Sequence, residues 1–228
     1  MLAAIVFVGG ALLHGAESAP EKGIPRAAPA LVAAMQSSLA YCRQAARGGD
    51  FKSLARGANG MTVLVELLRA ENAEDAWQTA AAEAAKTNRA ILESARNGDA
   101  PAAAAALDRL AGQLPSFAEK NSAAKPASLG KAPGGLHNLM YVLEATLADA
   151  KTAVAVDDLA AARQSAVVLS ALDRLVSNER TDARWQHWAS DYQSAAELAI
   201  RSETDNARSF RPLLHAVSQR CEACHDKK

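Results

Sequence analysis

The sequence predicts an all-α protein built from two tandem antiparallel four-helix bundles. Three observations support this prediction: a composition rich in strong helix formers, apolar residues that recur at helical spacing in four segments of each half, and a self-similarity between the two halves. Half of the 228 residues are hydrophobic but only 4% are aromatic, which is typical of helices rich in Ala and Leu.

The N-terminus carries an apolar run over residues 1–13, which has the length of a signal-peptide core and is short for a membrane span. Small residues at Ala16 and Ser18 suit cleavage before Ala19. We therefore expect residues 1–18 to be a signal peptide and the mature protein to be periplasmic. Membrane association is expected only if this segment stays uncleaved.

The two halves align when the sequence is shifted against itself by 108 positions. The shift superimposes Trp77 on Trp185, which is informative because the chain has only three Trp residues. Late in each half the offset becomes 107, which indicates one residue gained or lost between helices. Two repeated units are predicted, at residues 19–120 and 136–228. The shift also pairs apolar residues of the first helix of each unit: Leu31 with Leu139, Met35 with Leu143, and Leu39 with Leu147.

Residues 121–135 are predicted to link the two units, because they contain several Lys, Pro and Gly residues and few apolar ones. Each unit shows four apolar-periodic segments of roughly 18–22 residues. Four amphipathic helices with short connections are expected to form an up-down bundle. Aspartates stand at the breaks between segments as candidate N-caps: Asp50 and Asp99 in the first unit, and Asp157, Asp182 and Asp205 in the second.

Charge and motif content exclude several functions. The chain has 25 Lys and Arg residues against 25 Asp and Glu residues, and the cations are spread through the helices. No long basic face is therefore expected, and nucleic-acid binding is not predicted. No Ser/His/Asp, paired-carboxylate or phosphate-loop pattern is prominent, so we do not predict an enzyme.

The C-terminus contains Cys221-Glu222-Ala223-Cys224-His225, the C-x-x-C-H pentapeptide that attaches c-type haem. Two thiols three residues apart share one face of a helical turn, where each can bond one vinyl group of the same porphyrin, and the adjoining His can ligate the iron. A structural zinc site would need two more ligands, for which only His215 is near. A redox C-x-x-C normally begins a helix beside a parallel sheet. One covalent haem c is therefore the predicted cofactor.

Residues 136–228 resemble class II cytochromes c, the cytochrome c-prime family, in combining four helices with a C-x-x-C-H near the end of the last one. The resemblance implies that Trp185, near the start of the third helix, packs close to the haem. In the first unit Leu114, Phe117 and Ala118 occupy the positions of the two Cys and the His. That unit is therefore predicted to carry no haem and to fill the equivalent space with its own apolar side chains.

The first helix of the haem unit is expected to point Met140 into the bundle. The resemblance implies that a Met near this place is the sixth ligand of an electron-transfer haem, and that an apolar residue there leaves the iron open to small gases. Three possibilities stay open: Met140 ligates the iron opposite His225, the site is open and lined by Leu139 or Leu143, or His137 is the ligand. The expected inward face of this helix is formed by Leu136, Met140, Leu143 and Leu147.

The leading functional prediction is a periplasmic electron carrier that exchanges single electrons with a redox partner protein. The alternative is a five-coordinate haem that binds nitric oxide or carbon monoxide. A third hypothesis gives the haemless unit a role in docking to a redox enzyme. Formation of a homodimer is left open.

Overall fold

The computed structural model describes residues 27–119, 126–201, 206–212, 214, 215 and 217–219. Within these ranges the regular structure is helical and contains no strand, which confirms the predicted all-α class. The helices are α1 (Ala28–Arg47), α2 (Phe51–Ala70), α3 (Asp75–Asn97), α4 (Ala100–Gln113), α5 (Pro115–Glu119), α6 (Gly135–Ala155), α7 (Leu159–Glu179) and α8 (Ala183–Arg201). A 3-10 turn (Ala207–Phe210) then leads into a C-terminal helical segment within residues 211–219.

In the first half, α1 to α5, each helix packs against the next, and α1 also contacts α4 and α5. Two of the predicted N-caps are confirmed. The Asp50 carboxylate accepts a hydrogen bond of 3.0 Å from the Ser53 N–H, and Asp99 accepts one of 2.9 Å from the Ala102 N–H. Each carboxylate satisfies a backbone donor that would otherwise lack a partner in the first helical turn.

The fourth helix departs from the predicted length of a segment. Helix α4 has 14 residues and ends at Gln113, and the short α5 follows from Pro115. The break falls at Pro115, which has no backbone N–H and therefore cannot continue the helical hydrogen-bond ladder, while Leu114 keeps a helical conformation. Helices α4 and α5 each contact α1.

In the second half, α6 packs on α7 and α7 on α8, and the 3-10 turn contacts both α6 and α7. The prediction that Asp157 has a capping position is wrong, because Asp158 caps α7 by accepting a 3.0 Å hydrogen bond from the Ala161 N–H. Asp157 has a φ of 60°, the left-handed conformation that Gly49 adopts at the equivalent position. Asp182 accepts a hydrogen bond from the Trp185 N–H, as a cap of α8 would. Asp205 lies outside the described residues.

Side-chain hydrogen bonds recur at the offset of 108 residues. The indole Nε1 of Trp77 donates to the Leu68 carbonyl over 2.7 Å, and that of Trp185 donates to the Val176 carbonyl over 2.7 Å. The amides that follow these indoles repeat this pattern: Gln78 donates to the carbonyls of Arg69 and Asn72, and Gln186 to those of Ser177 and Arg180. The third helix of each half is thus held to the end of the second in the same way.

The two halves meet through two equivalent contacts, α1 with α7 and α2 with α6. The repeat maps α1 onto α6 and α2 onto α7, so exchanging the halves turns one contact into the other. This is the relation found in the isologous interface of a symmetric dimer. A salt bridge of 2.8 Å between Arg174 and Glu71 joins the halves, and Gly60 lets the Tyr141 ring approach α2 closely.

The described part of the predicted linker, residues 126–134, lies along both halves without helical structure. The Ala127 N–H donates to the Ala70 carbonyl over 2.9 Å, and the Asn178 amide donates to the Leu129 carbonyl over 3.0 Å. The segment is therefore hydrogen-bonded to the ends of α2 and α7. Helix α6 begins at Gly135, the last residue of the predicted linker.

Buried apolar side chains form one cluster that extends from Ala27 to Val217 and includes both halves. Among the helices that the structure describes, none is long and apolar enough to cross a membrane.

Two glycines offer a test of the α1–α2 packing. A Cβ atom on Gly57 would lie 2.5 Å from the Cys42 Sγ, whereas one on Gly112 would meet no atom within 4 Å. We expect Gly57→Ala to lower the free energy of unfolding by about 1–3 kcal/mol because of overpacking. Gly112→Ala should leave it unchanged or raise it by up to about 1 kcal/mol, because Ala favours helix. Urea unfolding measures both, and an equal gain in the two variants would contradict the close approach at Gly57.

Candidate cofactor site

The predicted attachment residues Cys221, Cys224 and His225 lie outside the described residues. The helical segment that precedes them is described as far as residue 219. On it Leu214 and Val217 are 4% and 2% exposed. Positions 214, 217, 221 and 224 would share one face of a helix, since they differ by three, seven and ten residues. The described part of this face is therefore apolar and packed into the core.

Two contacts give the direction of this segment. The Ala207 N–H donates to the Asp157 carboxylate over 2.9 Å, and the Lys151 Nζ donates to the Ser218 hydroxyl over 3.1 Å. Residue 207 thus pairs with residue 157, just after α6, and residue 218 pairs with residue 151, within α6, so the residue numbers rise in one segment and fall in the other. The segment thus runs antiparallel to α6, toward the end of α6 that carries the predicted site residues.

Those α6 residues differ in burial. Leu139 and Leu143 are 0% and 2% exposed, Met140 is half-buried against the core, and His137 is exposed. The buried stripe is centred on Leu139, Leu143 and Leu147 and not on Met140, since α6 packs against both α7 and α2. Met140 lies at the border of this stripe. The predicted inward face is therefore rotated relative to the observed one.

Trp185 belongs to an aromatic cluster on α8. It is 6% exposed, and its ring centroid lies 5.0 Å from that of Trp188, which in turn lies 6.0 Å from Tyr192. The Arg180 guanidinium carbon lies 5.6 Å from the centre of the Trp185 ring. The first half has Ala80 and Ala84 where this half has Trp188 and Tyr192. The second half thus carries a larger aromatic surface beside the repeated indole.

The first half shows what occupies the positions equivalent to the attachment residues. Leu114 and Phe117, which align with Cys221 and Cys224, are 0% and 1% exposed. The Phe117 ring packs edge-to-face on Trp77, with centroids 5.0 Å apart and an interplanar angle of 83°. In this half, the position of the second motif cysteine therefore lies directly against the repeated indole.

One buried acid escaped the sequence analysis. Asp173 on α7 is 2% exposed, and its Oδ1 accepts no hydrogen bond from the described residues. Burial and, to a smaller extent, the nearby Glu197 carboxylate raise the pKa of this carboxyl, a hydrogen bond with Ser177 partly offsets both, and the resulting pKa is about 7. The first half has buried Val65 at the same position. The only available signal was this change from Val to Asp between the repeats.

Cys42, the third cysteine, is fully buried beneath α2, and burial raises the pKa of its thiol to about 12. It is therefore protonated and unreactive at neutral pH. Within the described ranges, no three or more His, Cys, Asp or Glu side chains form a group that could hold a metal ion. None of the family models, curated proteins and solved structures compared with this chain matches it.

Proposed function

We propose that the chain is an exported electron carrier of the cytochrome c-prime type, with one covalent haem c in the second of two tandem four-helix bundles. The C-x-x-C-H pentapeptide carries this proposal, since its spacing serves haem attachment. When bound, the haem supplies a one-electron iron couple. Cys221 and Cys224 hold it through thioether bonds, and His225 ligates the iron.

Aromatic and apolar side chains of the second half support the proposal. The Trp185, Trp188 and Tyr192 rings form an aromatic cluster on α8, and Leu139 and Leu143 are buried apolar side chains on α6. The first half supports placing the haem near Trp185, since the side chain at the position of Cys224 packs on the equivalent indole. Apolar surroundings exclude water from the iron and favour its less charged, reduced form.

Absorption spectra of the ferric and ferrous protein test this function. A c-type ferrous spectrum together with a low-spin ferric spectrum would support electron transfer. Protein produced with intact cytochrome maturation but lacking any haem spectrum would contradict the proposal.

For the sixth coordination position we propose Met140, whose half-buried side chain lies at the border of the α6 core stripe. Met140→Leu should remove the weak sulfur-to-iron charge-transfer band at the red edge of the ferric spectrum. It should also shift the iron toward high spin and lower the reduction potential, because the soft thioether favours reduced iron. The fold should survive, since Met and Leu are close in volume and such swaps usually cost less than about 1.5 kcal/mol.

Gas binding is a second candidate function, favoured by the complete burial of Leu139 and Leu143. An open iron lined by these side chains would bind carbon monoxide quickly in the wild-type protein. Rapid binding of carbon monoxide, with neither spectrum nor rate changed by Met140→Leu, would make gas binding the better account. His137→Ala tests the third ligand candidate. Because this side chain is exposed, we expect the spectrum to stay unchanged, and loss of the low-spin spectrum would instead assign His137 as the ligand.

A further inference from the structure

Each half has a groove between its first helix and the helix that follows its third. The groove of the second half has a volume of about 240 Å³ and that of the first about 370 Å³. They are equivalent by the repeat: Arg43 corresponds to Lys151, Ala104 to Arg211, Leu107 to Leu214 and Asp108 to His215. The same surface thus appears twice in one molecule, with different side chains.

The charge of the two grooves differs. In the first half, Asp108 forms a salt bridge of 2.8 Å with Arg43, so an acid neutralises this cation. In the second half, His215 replaces that acid, Arg211 replaces an alanine, and the described residues that line the groove include no acid. Each described lining contains two Lys or Arg side chains, Arg43 and Arg47 in the first groove and Lys151 and Arg211 in the second, so the grooves differ in charge by the Asp108 carboxylate.

The two aspartates that follow the C-terminal end of α6 have their hydrogen-bond and ion-pair partners outside the groove. Asp157 accepts a hydrogen bond from the Ala207 N–H and lies 3.6 Å from the Arg208 guanidinium. Asp158 caps α7. Neither belongs to the lining of the groove, so among the described residues no carboxylate lines it beside these cations.

The floor of the groove is apolar. Val154 and Leu214 are 3% and 4% exposed and line the groove together with Lys151 and Arg211. The Lys151 Nζ is held at the rim by its 3.1 Å hydrogen bond to Ser218, which uses one of its three donors. Two donors of the ammonium group remain, and they can act together with the Arg211 guanidinium.

We propose that the groove between Lys151 and Arg211 binds an organic oxyanion, a phosphate ester or carboxylate whose short apolar portion rests on Val154 and Leu214. Arg211 and Lys151 would contact the oxyanion, and His215 would add a donor. Lys151 lies 11 residues after Met140 on α6, or about 16 Å at 1.5 Å per residue. The groove adjoins the segment that carries the haem motif, since Ser218 lies three residues before Cys221, but no motif residue belongs to its described lining. The oxyanion contacts proposed here use Lys151, Arg211 and His215 and do not depend on the haem.

Isothermal titration of the full-length protein with inorganic phosphate and with butyl phosphate tests the proposal. The wild type should bind one equivalent of either probe. Butyl phosphate should bind several-fold more tightly than phosphate, because its methylene groups cover the apolar floor. Binding of neither probe, or equal affinity for both, would overturn the proposal.

The repeat supplies matched variants. Arg211→Ala with His215→Asp installs the first-half residues, and affinity for butyl phosphate should fall at least tenfold, because one cation is lost and the new acid can pair with Lys151. Ala104→Arg with Asp108→His makes the reverse exchange and should raise the number of binding sites from one to two. Lys52→Ala removes an exposed cation elsewhere and should leave affinity unchanged. Unaltered binding in the first double variant, or an equal loss with Lys52→Ala, would show non-specific charge attraction and overturn the site.

Discussion

Replacing Cys221 and Cys224 together by Ala should abolish covalent haem entirely, because the thioether bonds need both sulfur atoms of the C-x-x-C-H motif. Wild-type protein made with intact cytochrome maturation should retain its haem in acidic organic solvent, and its mass should show one haem per chain. A single haem is expected because Leu114 and Phe117 stand where the first half would need thiols.

Cys42→Ala is the matched control for the haem experiment. This thiol is fully buried, and burial raises its pKa to about 12, so its removal should leave haem content unchanged. Haem that dissolves freely out of the wild-type protein would refute covalent attachment, and a mass with two haems would refute the haemless first half.

Asp173→Val should stabilise the protein strongly above neutral pH. The folded-state pKa of about 7 exceeds the unfolded value of about 3.9, so the folded state binds the proton more tightly. The contribution of this group to stability is therefore greatest below about pH 4 and is lost as the pH rises through about 7. Three pH units of pKa difference correspond to about 4 kcal/mol at pH 8, as an order of magnitude.

Urea unfolding at several pH values, followed by far-ultraviolet circular dichroism, measures this effect. The wild type should lose stability between pH 4 and pH 8 relative to Asp173→Val, which carries the first-half side chain at this position. Asp173→Asn removes the charge but keeps a polar group, and should flatten the pH dependence with a smaller gain in stability. Val65→Asp should introduce the same pH dependence into the first half. Parallel stability profiles for wild type and Asp173→Val would show that the buried carboxyl is not perturbed.

The repeat and the helix caps could be predicted from the sequence because they rest on local signals. Asp50 and Asp99 act on backbone groups within their own first turn, and the Trp77 and Trp185 indoles repeat at a fixed offset. The haem motif is local in the same sense. The motif residues themselves lie outside the described residues, so the attachment stays a prediction.

Features that depend on neighbouring helices could not be predicted. The burial of Met140 follows from where α2 and α7 pack on α6. The apolar stripe in the sequence does not show which part of α6 faces α2 and which part faces α7. Asp173 was hidden for a similar reason, since a charged residue within a helical pattern is normally assigned to the surface. Gly57 and Gly60 lie where other helices approach α2 closely, and glycine is unfavourable inside a helix unless packing requires it.

The paired α1–α7 and α2–α6 contacts also bear on how this protein behaves when it is scarce. An interface of this symmetric kind between separate chains comes apart on dilution, whereas two partners in one polypeptide face each other at an effective concentration of about millimolar for a short connection. Here residues 126–134 are also hydrogen-bonded to both partners, which restricts separation further. The face that α6 and α7 present to the first half therefore stays covered at any cellular abundance. The first half, which covers this face, could diverge in sequence without risk that the face pairs with another copy of the protein.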